Sequence, residues 1–347
     1  MRFYTKQHKF YCGIDLHVNK MYVCILDSAG EILLHRNIKT DRQVFLAVIE
    51  PFREDVVVAV ECMFAWYWIA DLCAEEGIPF VLGHALYMKA IHGGKAKNDK
   101  IDSRKITVLL RGGMIPQSYV YPTKMRATRD LLRRRNHLMR KRAELFAHIQ
   151  NTRSQYNLSD YLGRIARPQN REGVVERFED PSVQNMIATD LAVITAYDPI
   201  IEKMERYIIK TANHHDPVAH ALLNTIPGVG RILSLVILYE IENIKRFPRV
   251  QDFASYCRLV KSAKESNGKK YGSSGNKIGN AHLKWAFSEA AALFLKGNEQ
   301  GKKYLDRLTS KHGKGKALSI LAHKLGRTTY FMLKNKKPFS QEKFLGL

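Results

Sequence analysis

Four carboxylates in the first third of the chain are spaced as a phosphoryl-transfer site would need them. Asp15 closes a short apolar run, YCGID, and Glu61 follows the unbroken run Val56-Val57-Val58-Ala59-Val60. Asp99 and Asp102 lie three apart in KNDKIDS, which puts both on one face of a helix that starts early enough. If the two apolar runs are neighbouring strands, Asp15 and Glu61 open at the same sheet edge. Carboxylates gathered around one point repel one another unless a cation holds them, and hard oxygen donors in that number suit Mg²⁺ or Mn²⁺. Two such ions, about 3.5–4 Å apart, stabilise both the attacking and the leaving oxygen of a phosphodiester. Taken singly, each acid has a plainer reading as a loop residue or a helix cap; the joint pattern is what points to chemistry.

A second segment, residues 258–284, carries seven Lys/Arg against the single acid Glu265. Glycines and serines separate the charges, so the backbone can lie close to a phosphate chain. Composition favours a flexible phosphate-contacting loop, with Lys269, Lys270 and Lys277 as contacts. A serine set among such lysines can also serve as a nucleophile, its alkoxide favoured by the positive charge.

The elements that must position these residues follow from periodicity. Residues 11–15, 21–26 and 31–38 read as three strands joined by short turns, hence antiparallel. A helix over 42–52, a buried strand over 56–60, a helix over 65–76, a strand over 78–82 and a helix over 101–111 follow. Those later strands need crossover helices and are expected to be parallel. This order matches the ribonuclease-H-like fold, and the four acids fall where that fold uses acids.

Residues 123–157 change character: ten Lys/Arg face only Asp130 and Glu144. Leu131, Leu138, Leu145 and Ile149 make a sparse seam near heptad spacing, which predicts a long basic helix, one arm of a helical hairpin returning through 190–212. Arg133, Arg134, Arg135, Arg140, Lys141 and Arg142 are its expected nucleic-acid contacts. Further on, Pro227-Gly228-Val229-Gly230 between apolar helices has the shape of a helix-hairpin-helix, in which Gly228 and Gly230 would let the backbone meet a phosphate; an ordinary helical corner reads equally well. The organisation expected is 1–122 as the α/β domain, 123–215 as a basic helical hairpin or coiled-coil linker, 216–333 as a second, helical domain and 334–347 as a poorly ordered basic tail.

The 347 residues carry 56 Lys+Arg against 33 Asp+Glu, a formal charge of +23. The first 122 residues hold 15 and 13 of these, so nearly all the excess lies behind them. A field of that size recruits polyanions, above all DNA and RNA. The 45% hydrophobic content excludes general disorder. No apolar run approaches the roughly 18 residues of a membrane helix, and the first residues lack the apolar stretch of a signal peptide. Cys12, Cys24, Cys62, Cys73 and Cys257 form no C-x-x-C pair and read as thiols of a reducing cytoplasm.

The strand YCGIDLHVNK, the KNDKID helix, the LLNTIPGVG corner and the serine segment, in that order, resemble transposases of the bacterial insertion-sequence 110 family, the DEDD-class enzymes related to Piv invertases. Leu259, Ser262, Ser266, Lys269, Lys277, Gly279, Asn280, Leu283, Glu289, Ala290 and Ala291 match its C-terminal motif without gaps. The resemblance covers nearly the whole chain. It implies a RuvC-like, ribonuclease-H-like first domain and a C-terminal transposase domain, with the acidic tetrad on Asp15, Glu61, Asp99 and Asp102, Mg²⁺ or Mn²⁺ as cofactor, and Ser266 as nucleophile. Lys261 stands where the family usually has proline, and Asn267 where glycine usually follows the serine, which leaves Ser262, Ser273 and Ser274 as lesser alternatives. The implied activity is phosphodiester transesterification: a recombinase that moves an insertion sequence through a serine–DNA link. The implied partners are donor and target double-stranded DNA, a structured noncoding guide RNA encoded by the element, and further copies of the chain, as a dimer and as a tetramer at the synapse. The expected location is the bacterial cytoplasm, at the nucleoid. Two other functions fit the residues: a metal-dependent Holliday-junction-type endonuclease without a covalent step, and a non-catalytic nucleic-acid-binding protein.

Overall fold

In the computed structural model, residues 2–91, 98–212, 215–274 and 278–346 are described. The chain divides into two compact units, Met1–Lys124 and Met125–Leu347.

The first unit is built on a five-stranded sheet. Strands β1 (Phe10–Leu16), β2 (Lys20–Asp27) and β3 (Ile32–Lys39) form an antiparallel meander, and helix α1 (Arg42–Ile49) follows, capped by Asp41. Strand β4 (Val56–Glu61), helix α2 (Tyr67–Glu75), strand β5 (Phe80–Gly83), helix α3 (Ala85–Ile91) and helix α4 (Asp99–Arg111) complete the unit. The sheet order is β3-β2-β1-β4-β5, with β1, β4 and β5 parallel. The mixed sheet is the one the connection lengths require: short turns between the first three strands, crossover helices after them.

Side-chain alternation sorts this sheet into two faces. Cys12, Ile14, Val56, Val58 and Val60 pack with Phe45, Ile49, Ile69 and Cys73 of α1 and α2. Tyr11, Val57 and Ala59 pack on the opposite face with Ile106, Leu109 and Leu110 of α4. The odd-numbered positions of β1 and β4 therefore look toward α4, and Asp15 and Glu61 belong to that set.

The second unit is mostly helical. Helices α5 (Thr123–Gln155, its first turn at the unit boundary), α6 (Pro181–Thr211), α7 (Pro217–Asn224), α8 (Arg231–Ile241) and α9 (Val250–Tyr256) lead to a two-stranded ribbon, β6 (Ser262–Ser266) and β7 (Lys269–Ser274). Helices α10 (Ala281–Phe294), α11 (Glu299–His312), α12 (Lys314–Asn335) and α13 (Gln341–Leu345) close the chain. Its main core joins Met125 and Leu132 of α5 and Ile208 of α6 to α8, α9, α10 and α12.

Helices α5 and α6 run antiparallel. Arg135 pairs with Glu205, Arg142 with Asp198 at 2.5 Å and His148 with Asp190 at 2.5 Å, so the α6 position falls as the α5 position rises. A second small core under their far ends gathers Ile149, Ile165, Phe178, Ile187 and Ile194. Asp180 and Pro181 start α6: the Asp180 carboxylate accepts from the backbone N–H groups of Ser182 and Val183, and Pro181 occupies the first turn, where its missing donor costs nothing.

The end of the chain differs from the expectation of a poorly ordered tail. Phe344 in α13 is buried, with its ring 5.2 Å from both Phe294 and Phe339. An aromatic cluster outweighs the basic composition around it.

Candidate functional site

The acidic site is assembled by one close approach. Gly13 lies on the α4 face of β1, and a Cβ there would stand 2.5 Å from the Thr107 backbone nitrogen and 2.8 Å from the Ser103 carbonyl oxygen. Only glycine lets α4 cross the strand at that distance. Thr107 Oγ1 donates to the Ser103 carbonyl at 2.8 Å, which keeps the hydroxyl satisfied although the residue is fully buried. The start of α4 is pinned from the other side by His35, whose Nε2 lies 2.9 Å from the Lys100 carbonyl oxygen and 3.2 Å from Ser103 Oγ.

With α4 fixed there, its first turn meets the end of β1. Asn98 caps the helix by accepting from the Ile101 N–H at 2.8 Å, so Asp99 and Asp102 both sit in the first turn. The exposed N–H groups of that turn favour negative charge. Asp15 is two residues beyond Gly13 on the same face. Burial pushes its carboxyl above the usual carboxylate range; His17 pulls it down, and the charges of Asp99 and Asp102 push it up again. Three of the four predicted acids thus share one electrostatic site. The fourth, Glu61, ends β4, one residue past the Ile14–Val60 register pair, and so stands beside Asp15 on the adjacent parallel strand.

His17 is the residue that sequence reasoning passed over. Its Nε2 lies 3.4 Å from Asp15 Oδ2 and 3.6 Å from Asp99 Oδ1. The signal was available: in Asp15-Leu16-His17 the histidine is two residues from the acid at a strand end, where alternation places both on one side. Carboxylates crowded against a half-buried Asp15 form a donor set that fits a hard divalent cation, which would neutralise the charge that raises Asp15. Lys105, 3.4 Å from Asp102, supplies part of that neutralisation.

In the second unit, Ser266 is the last residue of β6. Asn267 and Gly268 form the two-residue turn to β7, with φ of 49° and 70°. Two successive left-handed residues make the type I′ turn that Asn-Gly favours, since its twist matches that of the strands. The segment expected as a flexible loop is therefore a hairpin, and Asn267, which stands where the family usually has glycine, is its turn residue. Ser266 pairs directly with Lys269 across the turn, both exposed; opposite residues of an antiparallel pair share a face. Lys270 follows in β7, and Lys277 lies outside the described residues.

The basic helix α5 spends much of its charge internally. Glu240 of α8, almost fully buried, accepts from Arg129 Nε at 3.1 Å, Arg133 Nε at 2.6 Å and Asn280 Nδ2 at 2.7 Å. Burial alone would raise this carboxyl, but the hydrogen bonds and charges of Arg133 and Arg129 bring it down to about 2. With Arg135 on Glu205, Arg142 on Asp198 and Lys141 on Glu144, four of the six expected contact residues are in ion pairs. Arg134 and Arg140 are exposed.

The glycine corner also divides. A Cβ on Gly228, at φ 84°, would stand 2.6 Å from the Leu293 backbone carbon. Close packing on α10 thus accounts for this glycine without any phosphate. Gly230, by contrast, is open on the side a Cβ would take and opens α8 with no side-chain cap. In the Gly279-Asn280 pair, the glycine permits an approach to the Tyr256 carbonyl, and the Asn280 Oδ1 caps α10 while its amide reaches Glu240.

Two family models match the sequence: residues 12–157 match the transposase model of the DEDD IS110 class, and residues 220–306 match the transposase IS116/IS110/IS902 family. The chain belongs to the IS110 family of transposases. It is similar to the transposase for insertion sequence element IS1111A of Coxiella burnetii, 22% identical over 90% of this chain and 86% of the relative. It is also similar to the transposase for insertion sequence element IS1328 of Yersinia enterocolitica, 24% identical over 95% of this chain and 98% of the relative. This insertion-sequence transposase is thus an enzyme that binds and recombines DNA, and its DEDD domain goes with dependence on a divalent metal. All four acids lie within the first matched segment, and Ser266 lies within the second. Among the described residues no helix is long and apolar enough to cross a membrane.

Proposed function

We propose that this transposase cuts and rejoins DNA by transesterification through Ser266, with Mg²⁺ or Mn²⁺ held by Asp15, Glu61, Asp99 and Asp102. The observation that carries the metal reading is the meeting of Asp15, Asp99 and Asp102 at the carboxyl end of β1, next to the strand that ends in Glu61. A divalent cation bound there supplies Lewis-acid stabilisation of charge on phosphodiester oxygens. Ser266 Oγ gives up its proton to solvent and attacks phosphorus; the Oγ–phosphorus bond forms as the bond to the leaving oxygen breaks, and that oxygen takes up a proton from solvent to leave as a hydroxyl. Attack by a second strand's hydroxyl reverses the step and restores the serine. Lys269, opposite Ser266, favours the alkoxide electrostatically.

The charge map supports a bound RNA. A near-neutral catalytic unit and a strongly basic remainder suit an enzyme that holds RNA and DNA together by their backbones and leaves sequence choice to a noncoding guide RNA. Self-association is supported by α6, where Met186, Val193, Ile200 and Tyr207, seven residues apart, are exposed large apolar side chains. A dimer through this face, and a tetramer at the synapse, would cover them.

The test uses the full chain with its co-purifying RNA and labelled duplex DNA. Cleavage that requires Mg²⁺ or Mn²⁺ and yields a detergent-resistant protein–DNA adduct, lost in Ser266→Ala, supports the reading. Metal-dependent nicks without an adduct would replace it with a hydrolytic junction endonuclease. Binding without cleavage in any metal would leave a nucleic-acid-binding protein only. Sequencing of the co-purified RNA checks the guide: a single element-derived species is expected, and random cellular RNA would contradict it.

A further inference from the structure

His17 begins the turn that follows β1, and its backbone is held independently of its ring: its N–H donates to the Lys20 carbonyl at 3.2 Å, and its carbonyl accepts from Thr40 Oγ1 at 2.9 Å. The imidazole is thereby delivered to the acidic site. One donor atom each from Asp15, His17 and Asp99 lies within 4.8 Å of the others. An octahedral ion with bonds of about 2.1 Å separates neighbouring donors by about 3 Å and opposite donors by about 4.2 Å. The 3.4 Å and 3.6 Å separations of His17 Nε2 from the two carboxylates fall between those limits, so the imidazole stands at coordination spacing from Asp15 and from Asp99.

We propose that His17 is a nitrogen ligand of the divalent cation held by Asp15 and Asp99, and that this mixed imidazole–carboxylate site prefers Mn²⁺ to Mg²⁺. The proposal rests on the reading that the acidic cluster binds metal. Its chemistry is that of donor softness. Mg²⁺ keeps its waters and takes oxygen ligands almost exclusively, whereas first-row transition ions accept imidazole, Mn²⁺ least strongly but still more readily than Mg²⁺. A fifth donor beside four carboxylates also relieves the site of a further negative charge, since imidazole binds as the neutral base. The side chain is more than half exposed at the end of a strand, so its removal leaves the sheet intact.

The experiment is Mn²⁺ binding to the full chain, read by electron spin-echo modulation from directly bonded nitrogen and by titration against Mg²⁺ in competition. The wild type is expected to bind Mn²⁺ with a nitrogen coupling. His17→Ala and His17→Gln are expected to bind it without that coupling and about tenfold more weakly, with Mg²⁺ affinity changed by no more than about twofold. Circular dichroism of each variant checks that the unit remains folded. Bound Mn²⁺ with no nitrogen coupling in the wild type, or a coupling that persists in His17→Ala, overturns the ligand role and leaves the acidic site standing. Equal weakening of both metals assigns His17 an electrostatic part and overturns the preference. A wild type that binds neither metal overturns the acidic metal site and this proposal with it.

Discussion

Gly13 of β1 and Thr107 of α4 meet so closely that a Cβ on residue 13 would stand 2.5 Å from the Thr107 backbone nitrogen. This one approach sets the height of α4 over the sheet and hence the distance from its first-turn acids to Asp15. Gly13→Ala is expected to lower stability by about 1–3 kcal/mol through overpacking. It should also weaken Mn²⁺ binding at the acidic site by shifting α4. Denaturant unfolding and metal titration read the two effects; a variant of unchanged stability would mean α4 gives way freely.

The tetrad should separate activity from folding. Asp15→Asn and Asp102→Asn are expected to abolish strand cleavage while leaving the unfolding midpoint near or above that of the wild type. Removing one of several mutually repelling carboxylates relieves strain in a metal-free site. Cleavage assays with and without chelator, alongside melting curves, check this. Full cleavage in chelator would remove the metal from the mechanism.

Glu240 predicts an acid-sensitive second unit. Its carboxyl is held at about 2, below its ordinary 4.5, so the folded state binds that proton less readily than the unfolded chain. Its contribution is therefore complete above pH 4.5 and is lost as the pH falls toward 2, a difference worth roughly 3 kcal/mol. Glu240→Gln keeps the shape but removes the buried negative charge that faces Arg129 and Arg133, at a cost of about 3–5 kcal/mol at neutral pH. Stability measured from pH 6 to 2 should show a steeper acid limb in the wild type than in the variant.

The charges on α5 should fall into two classes. Arg134→Glu and Arg140→Glu, at exposed positions, are expected to weaken DNA and RNA binding at all sequences alike. For every phosphate that is no longer neutralised, the slope of log affinity against log salt should become shallower by about 0.9 for duplex DNA. Arg135→Glu, which opposes Glu205, should show itself first as reduced thermal stability. Identical behaviour of the two classes would remove the distinction.

The serine hairpin should be sensitive at its turn. Gly268→Val puts a β-branched residue at φ 70° in an exposed two-residue turn. It is expected to abolish adduct formation with little effect on the unfolding midpoint, because the turn itself is exposed. An unaffected adduct yield would show that the placement of Ser266 does not depend on this turn.

The sequence by itself carried everything that local pattern encodes. Strand and crossover order in the first 111 residues, the acids at strand ends, and the long basic helix follow from periodicity, and periodicity is a property of neighbours along the chain. The Asn267-Gly268 hairpin was equally local, and was obscured only by the glycines and serines around it, which also suit a loop. Tertiary structure alone decided the rest. Alternation says that Tyr11, Gly13 and Asp15 share a face, but α4 lies on that face because Gly13 admits Thr107, an approach across 94 positions. Alternation puts His17 beside Asp15, but its approach to Asp99 exists only because α4 is carried to the end of β1. The charge of α5 looked wholly available to nucleic acid until Glu240, Glu205 and Asp198 were brought against it. The physical reason is the same in each case: ion pairing, close approach and donor sets depend on distances through space, which composition and spacing along the chain do not contain.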